Sequence, residues 1–338
     1  GYKGFSFDTS TSVSLEDDLK RRDLTINAIA QANNGDIIDP YGGQADLRAG
    51  VLRHVSDAFV EDPLRVLRTC RFAARFNFTI APETMALLRE IVAGGELSDL
   101  AAERIWLECH TALGEDNPQI FVQTMRACGA LQAILPEVAC LFGVPQPAKY
   151  HPEIDTGEHI CLALEQTAKK HMSTAVRFAV LVHDVGKGNT PESLLPKHHG
   201  HEAAGVPLVE AIAARLRVPK DYRELALTVT RHHLQIHRVH EMRAPNLLKL
   251  LDCLDAQRRP KRLQEILNAC EADATGRTGL QQQAYKPGPY VMGAANAIRG
   301  VSASHLKQSL PENADFVEAL RQAKLAALKT FIEDHRHT

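Results

Sequence analysis

EDPLRVLRTCRFAARF, residues Glu61–Phe76, reads as one helix with a charged stripe. Asp62 is a good N-cap, and Pro63 at the first helical position tolerates its missing N–H. Leu64, Leu67 and Ala74 fall on one side at helical spacing, flanked by Cys70 and Phe72. Arg65, Arg68, Arg71 and Arg75 recur every three or four positions, which lines them up along the helix. Asp62 and Arg65 sit one turn apart. A carboxylate beside a guanidinium makes a donor–acceptor fork suited to the edge of a nucleobase, and further arginines suit phosphates. The bland alternative is a surface helix with a solvated arginine face.

What stands upstream favours the functional reading. LEDDLKRRDLTINAIAQANNGDIIDPYGGQADLRAGVLRHV, residues 15–55, together with the EDPLR start, resembles the motifs of class II tRNA nucleotidyltransferases, the CCA-adding enzymes and poly(A) polymerases. The resemblance runs through nearly the whole chain. It implies that RRDLTINA, with Arg22 and Asp23, touches ribose and triphosphate. It also implies that Asp62, Arg65, Arg68 and Arg71 belong to a protein template that recognises C or A. The expected partners are therefore tRNA, CTP and ATP, with Mg2+ serving nucleotidyl transfer. One departure matters: neither the family's Gly-Gly-x-x-R-D loop nor its D-x-D carboxylate pair precedes Arg22. The chain opens at Gly1, so the beginning of the head is expected to be missing, and the two-metal transfer centre with it.

Composition favours a helical protein and shows no global pull toward nucleic acid. The 338 residues suffice for two or more domains, and 44% hydrophobic with only 5% aromatic residues favours helices. A net charge of −2 leaves any RNA partner to local basic patches such as Lys20–Arg22 with the arginine stripe. Seven scattered cysteines without a C-x-x-C pair argue for reduced thiols and a cytoplasmic location. No apolar run reaches spanning length, so no membrane partner is expected. Oligomeric state is left open between monomer and homodimer.

Taken in order, residues 1–14 read as a short strand and polar loop, Leu15–Gln31 as a helix, and Gly35–Pro40 and Val51–Val55 as brief strands. Helices follow at 83–93, 101–113 and 118–128, then 135–142. GVPQPAKYHP, residues 143–152, has the look of an interdomain linker. Further helices are expected at 160–171, 174–182, 201–216, 221–233, 244–253 and 312–335.

The second half carries most of the sixteen histidines. His159, the adjacent His183-Asp184 after the apolar FAVLV, His199 and His201, His232 and His233, and Asp273 all offer metal-type ligands. Burying an adjacent His and Asp is costly unless each is paired or coordinated, and imidazole with carboxylate suits a hydrolytic divalent-metal site. The bland alternative is a set of surface histidines. The ordered H…HD…D pattern resembles the HD phosphohydrolase superfamily, an all-α metal-dependent fold. The resemblance implies His159, His183, Asp184 and Asp273 as core ligands, His201 and His233 as the extra histidines of two-metal members, and Lys187 as a phosphate holder. His183, Asp184 and Lys187 are then the catalytic set. Ni2+ is one candidate ion, and the implied activities are phosphatase, 2′-nucleotidase and 2′,3′-cyclic phosphodiesterase.

The expected fold is mostly α. A small α+β remnant of a polymerase-β-like nucleotidyltransferase head (1–55) is followed by a helical recognition and neck domain (56–145), an all-α HD domain (146–275) and a helical tail (276–338). The expected function is CCA addition and repair on tRNA with an HD hydrolase attached. The alternatives are a class II poly(A) polymerase and a non-catalytic tRNA-binding fragment with a decayed hydrolase site.

Overall fold

The computed structural model describes residues 14–311 and 315–335. The strand and loop expected over 1–14 lie, apart from Ser14, outside the described residues. The rest is a succession of helices with two minimal sheets, Ala30–Gln31 antiparallel to Ile37–Ile38 and Val51–Leu52 parallel to Thr79–Ile80.

The helix expected over Leu15–Gln31 stops at Lys20. Tertiary pairing takes over from there. The Thr25 amide donates to the Arg53 carbonyl (2.9 Å) and Leu24 bridges to His54, so the middle of RRDLTINA is held as an extended corner. A helix absent from the expectations, Gly43–Ala49, follows in the glycine turn, where the Asp39 carboxylate accepts from the Gly43 and Gln44 amides.

The second sheet frames the arginine helix, Leu64–Phe76. The chain leaves Val51–Leu52, runs through the helix, turns at Asn77 in the left-handed region (φ 55°) and returns at Thr79–Ile80. Helices Ala102–Gly114 and Pro118–Cys128 pack across it. It is buried on most sides, Val66, Thr69 and Ala73 included; of its arginines Arg71 is buried, Arg65 and Arg68 are half-buried and Arg75 is exposed.

In the second half, Thr156–Lys169, Thr174–Val182, His201–Arg215, Lys220–His237 and Pro260–Thr275 form one bundle. Asp155 caps the first, its carboxylate accepting from the Glu158 amide at 2.9 Å. Pro260–Thr275 is not among the expected elements, although Pro260 at its start and Leu263, Ile266, Leu267 and Cys270 at helical spacing announce it. Trp106 joins the halves, standing edge-on to Phe178 and Tyr222 at 5.3 and 5.5 Å. The expected linker 143–152 is no free linker. Gln146 and His151 are buried, and the Gln146 amide nitrogen of the backbone donates to the Ile154 carbonyl at 2.7 Å. Three further helices, Pro287–Arg299, Ala303–Ser309 and Phe316–Asp334, come last among the described residues.

Candidate nucleotide cleft and metal centre

A cleft of about 680 Å³ opens where the start of the arginine helix meets the RRDLTINA corner. Asp18, Arg21, Arg22, Asp23, Asn27, Asp62, Arg65, Arg68 and Arg104 all line it, five guanidinium groups against three carboxylates. That balance suits a polyanion. Five of the six expected nucleotide-binding residues, Arg22, Asp23, Asp62, Arg65 and Arg68, therefore come together here.

Their partners differ from the simple fork. Asp62 accepts from the Leu64 amide (3.1 Å) and pairs with Arg104 at 2.9 Å. Arg65 donates to the carbonyls of Ala58 (2.7 Å) and Arg21 (2.6 Å), which ties the arginine helix to the RRDLTINA corner. Asp23 is buried and holds Arg68 through two bonds of 2.9 and 2.7 Å while accepting from Asn27 and the Leu24 amide. Burial opposes its charge, but these donors hold its carboxyl below the ordinary value. Arg22 reaches Asp18 and the Asn27 carbonyl.

Arg71 stands apart. It is buried, donates to Glu108 at 2.6 Å and does not line the cleft. It faces the core because Glu108 is also buried there and each charge requires the other. Arg104 and Glu108, one turn apart on Ala102–Gly114, are the partners that sequence reading missed. Nothing in the arginine stripe points to a carboxylate 37 residues away.

The second site is built from five segments. His159 comes from Thr156–Lys169, His183 and Asp184 from the end of Thr174–Val182, His201 from the first position of its helix, His233 from Lys220–His237 and Asp273 from Pro260–Thr275. All six are buried. Asp184 Oδ1 lies 3.2 Å from His201 Nε2 and 3.6 Å from His233 Nε2, and Oδ2 lies 3.3 Å from His183 Nε2. Asp273 Oδ1 lies 2.9 Å from His159 Nε2 and 3.8 Å from His183 Nε2. Lys187 Nζ reaches Asp184 Oδ2 and the Gln146 amide oxygen, both at 2.6 Å. His199 is exposed and His232 bonds Gln235 at 2.8 Å, so neither joins the cluster.

Three imidazoles are oriented alike. His183, His201 and His233 each turn Nδ1 onto a backbone carbonyl within their own turn, at 2.8, 2.7 and 3.1 Å. A proton on each Nδ1 leaves the Nε2 lone pair aimed inward, the arrangement that metal-ligating histidines need. His183 Nε2 and Asp184 Oδ1 are buried with no hydrogen-bond partner. Unsatisfied buried groups of this chemistry fit a divalent cation. Ligand atoms of His159, His183 and Asp184, of His183, His233 and Asp273, and of Asp184, His201 and His233 lie within 4.8 Å of one another in each set.

Electrostatics separates the imidazoles. Against the burial that disfavours its charge, Asp184 and Asp273 raise the His183 pKa to about 10, so without an ion Nε2 also carries a proton, which a bound metal would displace to free the lone pair. Burial pushes His233 down to about 3. Burial also works against the charges of Asp184 and Asp273, yet the imidazoles around them hold both carboxyls well below the usual range, with Lys187 adding to this at Asp184. Two neighbours escaped sequence reading. Glu153 lies 3.0 Å from both His151 Nδ1 and His159 Nδ1, and His237 lies 2.6 Å from Asp273. The second had a signal, since His237 follows His233 by four residues in RHHLQIH.

Fold and sites define a nucleotidyltransferase-type head and helical neck joined to an HD-type helical domain with a candidate metal site. The family model described as "Poly A polymerase head domain" matches residues 4–53, "Probable RNA and SrmB- binding site of polymerase A" matches 77–141, and "HD domain" matches 156–259. The "Multifunctional CCA protein" of Pseudomonas paraeruginosa is 52% identical over 337 residues, 99% of this chain and 82% of the relative. That of Nitrosococcus oceani is 51% identical over 336 residues, 99% and 83% of the two chains. The chain belongs to the multifunctional CCA protein family. The structure of the "Bacillus stearothermophilus CCA-adding enzyme in complex with CTP" shares the fold at a TM-score of 0.59 and 21% identity, over 94% of this chain and 70% of that one. No helix among the described residues is long and apolar enough to cross a membrane.

Proposed function

We propose that this chain selects CTP and ATP for untemplated addition and repair of the tRNA 3′-terminal CCA, and that its second half hydrolyses phosphate esters at a divalent-metal centre. On this reading Asp62 and Arg65 contact the base, while Arg22, Arg68 and Arg71 serve ribose and phosphates. Arg71 can do so only by leaving Glu108. Asp23 acts by holding Arg68 and Asn27. The division into 1–55, 56–145, 146–275 and 276–338 goes with this reading, and Mg2+ is the ion proposed for nucleotidyl transfer, although the D-x-D carboxylates that would hold it do not occur before Arg22 in this sequence.

The observation that carries the hydrolase half is the convergence of three Nε2 lone pairs on two buried carboxylates, with His183 Nε2 and Asp184 Oδ1 unsatisfied. His159, His183, Asp184, His201, His233 and Asp273 would hold the metal. When bound, a divalent ion would make water a better nucleophile near neutral pH and polarise a phosphoryl oxygen. Lys187 sits where its ammonium can take a phosphate oxygen in exchange for Asp184. The buried walls keep bulk water from competing with the ester, which strengthens each charged contact.

The test supplies the chain with Ni2+, Co2+ or Mn2+ and follows phosphate release from a 2′-nucleotide and opening of a 2′,3′-cyclic nucleotide. Asp184→Asn should abolish both and lower bound metal while leaving the helical content unchanged. Full hydrolysis by that variant with a full complement of metal would exclude the assignment.

A further inference from the structure

Asp273 divides its two oxygens between different tasks. Oδ1 faces His159 and His183 at 2.9 and 3.8 Å, while Oδ2 accepts from His237 Nε2 at 2.6 Å. His237 Nδ1 in turn lies 2.9 Å from the Tyr285 hydroxyl, and the two rings meet edge-on at 5.6 Å and 83°. An ionised carboxylate only accepts, so a neutral His237 carries its proton on Nε2 and takes the phenol's hydrogen at Nδ1. Burial raises the Tyr285 pKa well above the ordinary value, which keeps the hydroxyl a donor.

We infer that Tyr285 and His237 are positioning residues that orient Asp273 toward the metal. This rests on the metal-centre reading above. Tyr285 sets the tautomer of His237, His237 anchors Oδ2, and Oδ1 is thereby presented to the imidazole side of the site. Hydrogen bonds behind a ligating carboxylate restrict its rotation, and losing such a partner costs about 10–100-fold in metal affinity. Neither residue is expected to touch substrate. Tyr285 precedes the helix Pro287–Arg299, beyond the stretch 156–259 matched by the HD model. The C-terminal segment is thus part of the metal centre rather than an appendage.

The test is a titration of the chelator-treated full chain with Mn2+, read by calorimetry or by the paramagnetic relaxation of water, with thermal unfolding of the metal-free proteins alongside. His237→Ala should weaken Mn2+ binding about 10–100-fold. Tyr285→Phe, which keeps the ring, should weaken it in the same direction by less. His237→Gln, whose terminal amide can donate to Oδ2, should recover a large part of the loss. A purely packing role would move the unfolding temperature and leave affinity alone, and Gln would not rescue it. Wild-type affinity in both His237→Ala and Tyr285→Phe, with Asp184→Asn defective, overturns the inference and spares the metal centre. Wild-type affinity in Asp184→Asn as well overturns the metal-centre reading and this inference with it.

Discussion

Asp62 and Arg65 reach the same cleft, but each is held by a partner that the helix itself does not supply, Arg104 for one and two backbone carbonyls for the other. Base selection by this pair therefore requires exchange of partners, and it should show as selectivity more than as overall affinity. Calorimetric titration of the chain with CTP, ATP, UTP and GTP should find that Arg65→Ala erodes discrimination against UTP and GTP by about 1–3 kcal/mol, the value of a bidentate contact to a base edge. Unchanged selectivity would remove Arg65 from the template role. Arg71 belongs to a different class of residue. Its guanidinium and the Glu108 carboxylate are both buried and bonded at 2.6 Å, so removing either strands a charge in the core. Glu108→Ala should lower unfolding stability in urea by about 3–5 kcal/mol, whereas replacing both by apolar residues of similar volume should cost far less. Equal losses in the single and double variants would contradict the pairing.

At the scale of elements, the candidate metal centre depends on how closely two segments approach. Gly186, just after His183-Asp184, lies against the first turn of His201–Arg215. A Cβ built on it would overlap the His201 carbonyl and stand 2.7 Å from the Gly205 nitrogen, while a Cβ on Gly205 would stand 2.9 Å from Thr230 Cγ2. Both glycines are thus needed for His201 to come within 3.2 Å of Asp184. Gly186→Ala should cost about 1–3 kcal/mol by overpacking and move His201 off the carboxylate. The check is thermal unfolding together with a metal titration, in which stability and affinity should fall together. The helix Lys220–His237 shows a related effect. It runs one turn beyond its expected end at His233, and that added turn is what delivers His237 to Asp273.

For the molecule as a whole, the proposed metal ligands come from five separate segments between residues 159 and 273, and Tyr285 adds a contact from beyond them. An ion held there would cross-link most of the bundle, and it would bind the native chain far better than the unfolded one. Stability should then rise with free metal as RT ln(1 + [M]/Kd), about 2.7 kcal/mol at one hundred times Kd. Unfolding temperatures measured across a Mn2+ series against a chelator baseline should follow that curve, and a flat response would deny the site. The head and neck should gain little directly, since none of the proposed ligands comes from them; they meet the bundle through Trp106 against Phe178 and Tyr222 and through ion pairs such as Glu137–Arg215 and Glu103–Arg217.

What was legible in the residues themselves was local or patterned. Helical spacing placed Leu64–Phe76, Pro118–Cys128 and Thr174–Val182 closely, because amphipathic period, proline starts and glycine stops are written along the chain. The order of His and Asp, together with the resemblance it carries, marked six of the residues that meet in the second site. Tertiary structure decided the rest, because it turns on partners distant in sequence. It broke the helix expected over Leu15–Gln31 at Lys20, pairing Leu24 and Thr25 with His54 and Arg53 and leaving only a 3-10 turn at Thr25–Asn27. It sent Arg71 to Glu108 instead of the cleft, and it folded the expected linker onto Lys187 through Gln146. A buried charge or carbonyl takes its direction from whatever group can satisfy it, and that group is known only once the chain has closed.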